Sequence, residues 1–272
     1  MVAINLRPAI FLLGDSLVQF SFGRNGQVGW GGLLSQAYQR RADVFNRGFQ
    51  GYTSGDILHN VLPNLLMPSA SVDSKKGKFQ EVPVLFWVIF WGANDATLTS
   101  GRRRVSVDDF AQNVDQIVTT VRAKDDQSCH TDPNVTYSTG NGEVPIIFIT
   151  PPPCDVHLWE QLYPDENVPK DCNEIFKTYA DQVMSVAKRN TNCSVIDIWT
   201  LLGGDDPSAL TAKGYQTDGV HLSEKGNRAV FESLMDVIKR DYPNMIPMMD
   251  GNGQFGKLGV PMEGKLWWMY GE

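Results

Sequence analysis

The sequence predicts an α/β fold: a three-layer α/β/α sandwich around a central, mainly parallel five-stranded sheet. Two observations carry that prediction. Five short runs rich in Val, Ile and Phe lack polar alternation, as strands covered on both faces do. Between them lie longer segments with helical spacing, and strands alternating with helices build a parallel sheet. No internal repeat or low-complexity tract interrupts the pattern.

Taken in order, Ala9–Leu13 is a buried strand that stops at Gly14-Asp15-Ser16, and Gly31–Arg40 is the first helix. Asp43–Asn46 is the second strand and Ser54–Leu66 the second helix. Val84–Phe90 is the third strand. Ser106–Arg122 follows as a helix, with Phe110, Val114, Ile117, Val118 and Val121 forming one apolar stripe. Ser106 to Asp109 matches a capping box with Asp in place of Glu, and Val105 precedes it. Pro145–Thr150, Asn173–Arg189, Ser194–Ile198 and Glu224–Arg240 complete the alternation. Two polar stretches, Ser71–Gln80 and Asp125–Glu143, are read as surface insertions. Residues 1–242 are assigned to one domain and 243–272 to a tail. That tail ends Leu266-Trp267-Trp268-Met269-Tyr270, a cluster expected to dock on the domain or to mediate self-association into a homo-oligomer. Its Gly251-Asn252-Gly253-Gln254-Phe255-Gly256 matches a dinucleotide fingerprint by letter only, since no strand precedes it and no helix pattern follows.

Composition narrows the function classes. The 272 residues are 42% hydrophobic and 20% charged, an ordinary globular balance with a sizeable core. A net charge of -7 argues against a nucleic-acid partner, which would demand a basic face. The basic run Arg102-Arg103-Arg104 is read as a solvated turn. Val82–Trp91, the longest apolar run, is about half a membrane span, so no stable membrane insertion is expected. A signal peptide would have to consume the strand that leads to Ser16, and the chain is read as cytoplasmic. Cys129, Cys154, Cys172 and Cys193 lack CxxC spacing and are read as free thiols, with an oxidised Cys154–Cys172 pair as the alternative. The sequons at Asn134 and Asn192 carry no weight in such a compartment.

The chemistry concentrates at strand ends. Ser16 would stand at the carboxyl edge of the sheet, where α/β proteins hold their ligands. A serine hydroxyl needs a base, and Asp218-Gly219-Val220-His221 offers one with a carboxylate three residues away. Gly51, in Asn46-Arg47-Gly48-Phe49-Gln50-Gly51, and Asn94, in Trp91-Gly92-Ala93-Asn94-Asp95, could donate hydrogen bonds to a developing oxyanion. Taken singly, each has a blander reading: Ser16 or Asp15 as a cap, Asp218 and Asn94 as turn residues, Gly51 as a supplier of positive φ. His59, His130 and His157 have no comparable company.

Four such blocks in order, spanning Pro8 to Lys239, resemble the SGNH branch of the GDSL hydrolases, a family of flavodoxin-like sandwiches. The resemblance implies Ser16 as nucleophile, Asp218 and His221 as the rest of a triad, and Gly51, Asn94 and the Ser16 N–H as the oxyanion hole. Gly29-Trp30-Gly31, Trp91 to Ala96 and Ile149-Thr150-Pro151-Pro152-Pro153 are similar to the isoamyl acetate-hydrolysing esterase group. That similarity implies a serine esterase acting on small, acetate-type carboxylic esters, with no cofactor and no metal. Trp30, Trp91 and Pro152 are candidates to line an apolar substrate pocket, with core packing the alternative for both tryptophans. Sugar acetates, thioesters or lysophospholipids would use the same site, and an inactive binding scaffold is the non-enzyme alternative. A metal site built from Asp15, Asp95, Asp218 and His221 would leave Ser16 without a purpose. The α/β-hydrolase elbow fails because Val18 replaces its second glycine.

Overall fold

The computed structural model describes residues 7–65, 69–73, 78–82, 84–97, 104–127 and 143–247. Its centre is a parallel sheet of β1 (Ala9–Gly14), β2 (Asp43–Gly48), β5 (Val84–Phe90), β6 (Ile146–Ile149) and β7 (Cys193–Ile196), in the order β2-β1-β5-β6-β7. The remaining strands, β3 (Ser69–Asp73) and β4 (Lys78–Glu81), form a separate antiparallel pair. They occupy the stretch read as a plain insertion. A run poor in Val, Ile and Phe gave no strand signal there, because pairing in a hairpin can rest on backbone hydrogen bonds alone.

β1 and β5 are buried along their whole length, which is why they read as unbroken apolar runs. Helices cover both faces. The Trp30–Ala37 and Glu224–Asp241 helices pack together on one side, and the Val107–Gln127 and Cys172–Arg189 helices pack together on the other. Phe110, Val114, Ile117, Val118 and Val121 are all buried, so the stripe faces the core. Half of the capping box is present: Ser106 Oγ accepts the Asp109 N–H at 3.1 Å, while the Asp109 carboxylate takes the Ser106 hydroxyl at 2.7 Å.

The second helix departs from expectation. Ser54–Asp56 is α-helical, Ile57–Val61 widens into a π turn, and Leu62–Asn64 tightens to 3-10 geometry around Pro63. Pro63 has no N–H to give an α-helix, so an even helix to Leu66 is not available. In the tail, the glycine run at 251–256 and the aromatic cluster at 266–270 lie outside the described residues. So do Arg102 and Arg103, Cys129, His130, the sequon at Asn134 and most of the second insertion. Among the described residues, Cys154, Cys172 and Cys193 are free thiols, and no helix is long and apolar enough to cross a membrane.

Candidate active site

Adjacent strands bring the predicted residues to one edge. β2, β1 and β5 are neighbours, and Gly14 pairs with both Gly48 and Phe90. Ser16, Gly51 and Asn94 each lie a few residues beyond that register line, so all three emerge at the same carboxyl edge.

Ser16 opens a short helix, Ser16–Gln19, and is only 6% exposed. Asp15 caps it by accepting the Leu17 N–H at 2.9 Å. The helix is too short to satisfy its own carbonyls, and two side chains do so from outside. The Trp30 indole donates to the Leu17 carbonyl at 3.1 Å, and Asn46 Nδ2 donates to the Val18 carbonyl at 2.8 Å. These contacts fix where the hydroxyl points.

His221 arrives from the far end of the chain. Its Nε2 lies 2.8 Å from Ser16 Oγ, and its Nδ1 lies 2.8 Å from Asp218 Oδ2. Asp218 Oδ1 also accepts the backbone N–H groups of His221 at 2.8 Å and Val220 at 3.2 Å. Burial pushes the Asp218 carboxyl up, but the hydrogen bonds and charge of His221 outweigh it and leave the group below the usual carboxylate value. The hydrogen bonds assign Nδ1–H to Asp218 and leave Nε2 as acceptor for the serine proton. The loop itself is held by Gln216, whose amide donates to the carbonyls of Pro153 at 2.6 Å and Gly219 at 2.9 Å. Gly219 turns at φ +98°, and a Cβ there would sit 2.7 Å from the Asp155 carbonyl. Only glycine fits that bend.

The loops after β2 and β5 are tied to each other. Asn94 Nδ2 donates to the Tyr52 carbonyl at 2.9 Å. Asp95, fully buried, accepts the Ser54 hydroxyl at 2.6 Å and the Ser54 N–H at 3.0 Å, and Asn113 donates to the Ser54 hydroxyl at 3.0 Å. Gly51 sits in the left-handed region at φ +79°, so the positive-φ reading is correct for it and does not compete with a role for its N–H.

Two buried carboxyls lie beneath the edge. Burial raises Asp15 to about 7 against the Leu17 hydrogen bond and the charge of His221. Burial also raises Asp95, to about 6, against its bonds from Ser54. Their hydrogen bonds face separate partners. Among the described residues, no group of three or more His, Cys, Asp and Glu side chains could hold a metal ion.

The pocket assignment needs correction. Trp30 is 0% exposed, Trp91 1%, and Pro152 is buried, so all three belong to the core and none lines the cleft. The cleft that opens on Ser16 and His221 has a volume of about 270 Å³ and is walled by Phe20, Arg24, Leu162, Tyr163 and Leu222. His59 and His157 are exposed and stand outside it. Asn46, Ser54 and Gln216 escaped the sequence reading as positioning residues. Asn46 and Ser54 flank the Gly51 block, and that adjacency was the available signal.

A parallel α/β sandwich with a serine, a histidine and an aspartate linked at its carboxyl edge defines a hydrolase class, and comparison with known proteins places the chain within it. Residues 10–234 match the model of the GDSL-like Lipase/Acylhydrolase family, and the chain belongs to that family. It is similar to the isoamyl acetate-hydrolyzing esterase 1 homolog of Mus musculus, with 34% identity covering 86% of this chain and 83% of the relative. A GDSL esterase/lipase of Arabidopsis thaliana is 31% identical, covering 86% of each chain. The fold is shared with an acetyl xylan esterase, AlAXEase, at a TM-score of 0.58 and 17% identity, covering 85% of this chain and 99% of that one. The protein is an ester hydrolase.

Proposed function

We propose that this chain is a serine esterase that cleaves small, acetate-type carboxylic esters through an acyl-enzyme on Ser16. The observation that carries the reading is the unbroken line from Asp218 through His221 to Ser16, with both contacts at 2.8 Å. His221 Nε2 takes the hydroxyl proton as Ser16 Oγ bonds to the ester carbonyl carbon. The carbonyl oxygen becomes an oxyanion facing the Ser16 and Gly51 N–H groups and the Asn94 amide. The imidazolium then gives its proton to the leaving alcohol as the C–O bond breaks. A water activated by the same ring attacks the acyl carbon and releases the acid. Asp218 keeps the tautomer and offsets the positive ring. The small cleft and the name of the relatives, esterases of isoamyl acetate, favour short substrates.

The test is a set of p-nitrophenyl esters of increasing acyl length, run beside acetylated sugars and an acyl-CoA, with a fluorophosphonate probe. Acetate preference and labelling at Ser16 support the proposal. Ser16→Ala should lower turnover by roughly 10³-fold or more while the fold persists. A folded Ser16→Ala protein that keeps most of its activity would overturn it.

A further inference from the structure

The cleft is not uniformly apolar. Arg24 reaches into it from a tight hairpin turn, Arg24-Asn25-Gly26-Gln27, closed by backbone bonds between Arg24 and Gln27 at 3.0 and 3.2 Å. Asn25 and Gly26 both have positive φ, 53° and 82°, as the central residues of a primed hairpin turn do. The arginine is therefore carried on a defined turn. Its guanidinium lies over the Phe20 ring, 4.3 Å from the centroid, and that ring meets the His221 imidazole edge-on at 5.8 Å. One aromatic ring thus separates a fixed cation from the catalytic base.

No carboxylate among the described residues pairs with Arg24, although the chain is acidic overall. The Asp218 charge is turned the other way, toward Nδ1 and the loop backbone. Stacking on Phe20 orients a guanidinium without neutralising it. A guanidinium carries five N–H donors, so this cleft-lining side chain can offer a forked pair to an anion.

The side of the cleft that Arg24 occupies follows from the chemistry. The leaving alcohol must sit against His221 Nε2 to receive its proton, whereas two of the three oxyanion donors, Gly51 and Asn94, come from the loops after β2 and β5, neither of which lines this cleft. Phe20, Arg24, Leu162 and Tyr163 therefore surround the alcohol half of the ester. We propose that Arg24 is a specificity residue that recognises a carboxylate on the alcohol half, an apolar spacer about one ring long separating that carboxylate from the ester oxygen. The proposal rests on the esterase reading and deepens it.

A matched pair of acetate esters tests it: 4-acetoxybenzoate, whose leaving group carries the anion, and its neutral methyl ester. Comparing the ratio of the two kcat/KM values between wild type and Arg24→Gln removes the intrinsic difference in leaving-group reactivity. The ratio should fall about fivefold in Arg24→Gln, the order expected of one solvent-exposed charge pair, and rising salt should lower the wild-type ratio toward that of the variant. A ratio unchanged by the substitution overturns the proposal. Binding of 4-hydroxybenzoate to the Ser16→Ala protein, followed by calorimetry, gives a readout that needs no turnover: Arg24→Gln in that background should weaken it, and equal affinity overturns the role. Failure of wild type to cleave either ester, with Arg24-dependent binding intact, would instead strike the esterase reading alone.

Discussion

The buried carboxylate of Asp95 accepts both the hydroxyl and the backbone N–H of Ser54, so the loop that carries Gly51 is clamped to the loop that carries Asn94. Ser54→Ala removes the shortest of these bonds and leaves Asp95 less satisfied in the interior. It should cost about 1–3 kcal/mol in urea unfolding. Its kinetic signature should be a lower kcat with little change in KM, because misplaced oxyanion donors matter most once charge develops. A variant that loses stability but keeps kcat would make the clamp purely structural.

Asn94 itself should show the sharper effect. Its amide spends one N–H on the Tyr52 carbonyl, which holds the second in a fixed direction. Asn94→Ala is expected to lower kcat by about 10²- to 10³-fold with KM nearly unchanged. Steady-state kinetics on p-nitrophenyl acetate decide this, and a loss confined to KM would move Asn94 from oxyanion stabiliser to substrate contact.

Asp218→Asn keeps the shape of the loop but presents the wrong partner to Nδ1. The rate should drop by up to about 10⁴-fold, while slow fluorophosphonate labelling of Ser16 persists. Rapid labelling at the wild-type rate would show that the tautomer does not depend on this carboxylate.

Asp15 makes a prediction about stability and pH. Its folded-state value is raised from 3.8 to about 7, chiefly by burial, so the folded protein prefers the protonated acid. That contribution is fully present below pH 3.8 and is lost as pH rises through 7. Asp15→Asn can still accept from Leu17 N–H yet does not ionise. The variant should therefore show a smaller decline in urea midpoint than wild type between pH 4 and 8. Parallel curves for the two proteins would mean that Asp15 is not a buried acid.

Much of this was legible from short local patterns. β1 and β5 are continuous apolar runs, and the blocks holding Ser16, Gly51, Asn94 and His221 each interrupt a regular element with a turn. The linked Ser16, His221 and Asp218 were readable as a candidate site because those residue types have narrow chemical requirements. What escaped depends on pairings that leave no period in the sequence. Trp30 was offered to the substrate because an indole suits an apolar pocket, yet it supports the Leu17 carbonyl from inside the core. Its N–H needs an acceptor wherever it lies, and the sequence does not say which. The β3–β4 hairpin and the π turn at Ile57–Val61 are likewise set by backbone hydrogen bonding more than by side-chain pattern. Arg24 belongs to no pattern in the sequence, and only the turn shows that it lies over Phe20.

The turn that carries Arg24 hangs from the site by a few residues and is pinned by its own two backbone bonds, while the reacting groups are anchored through the sheet edge and its clamps. None of the hydrogen bonds that hold Ser16 and its short helix comes from that turn. On the proposed reading, a lineage built on this scaffold could exchange substrates by rewriting four residues, and a laboratory library confined to positions 24–27 would sample new preferences while leaving the sheet-edge clamps untouched.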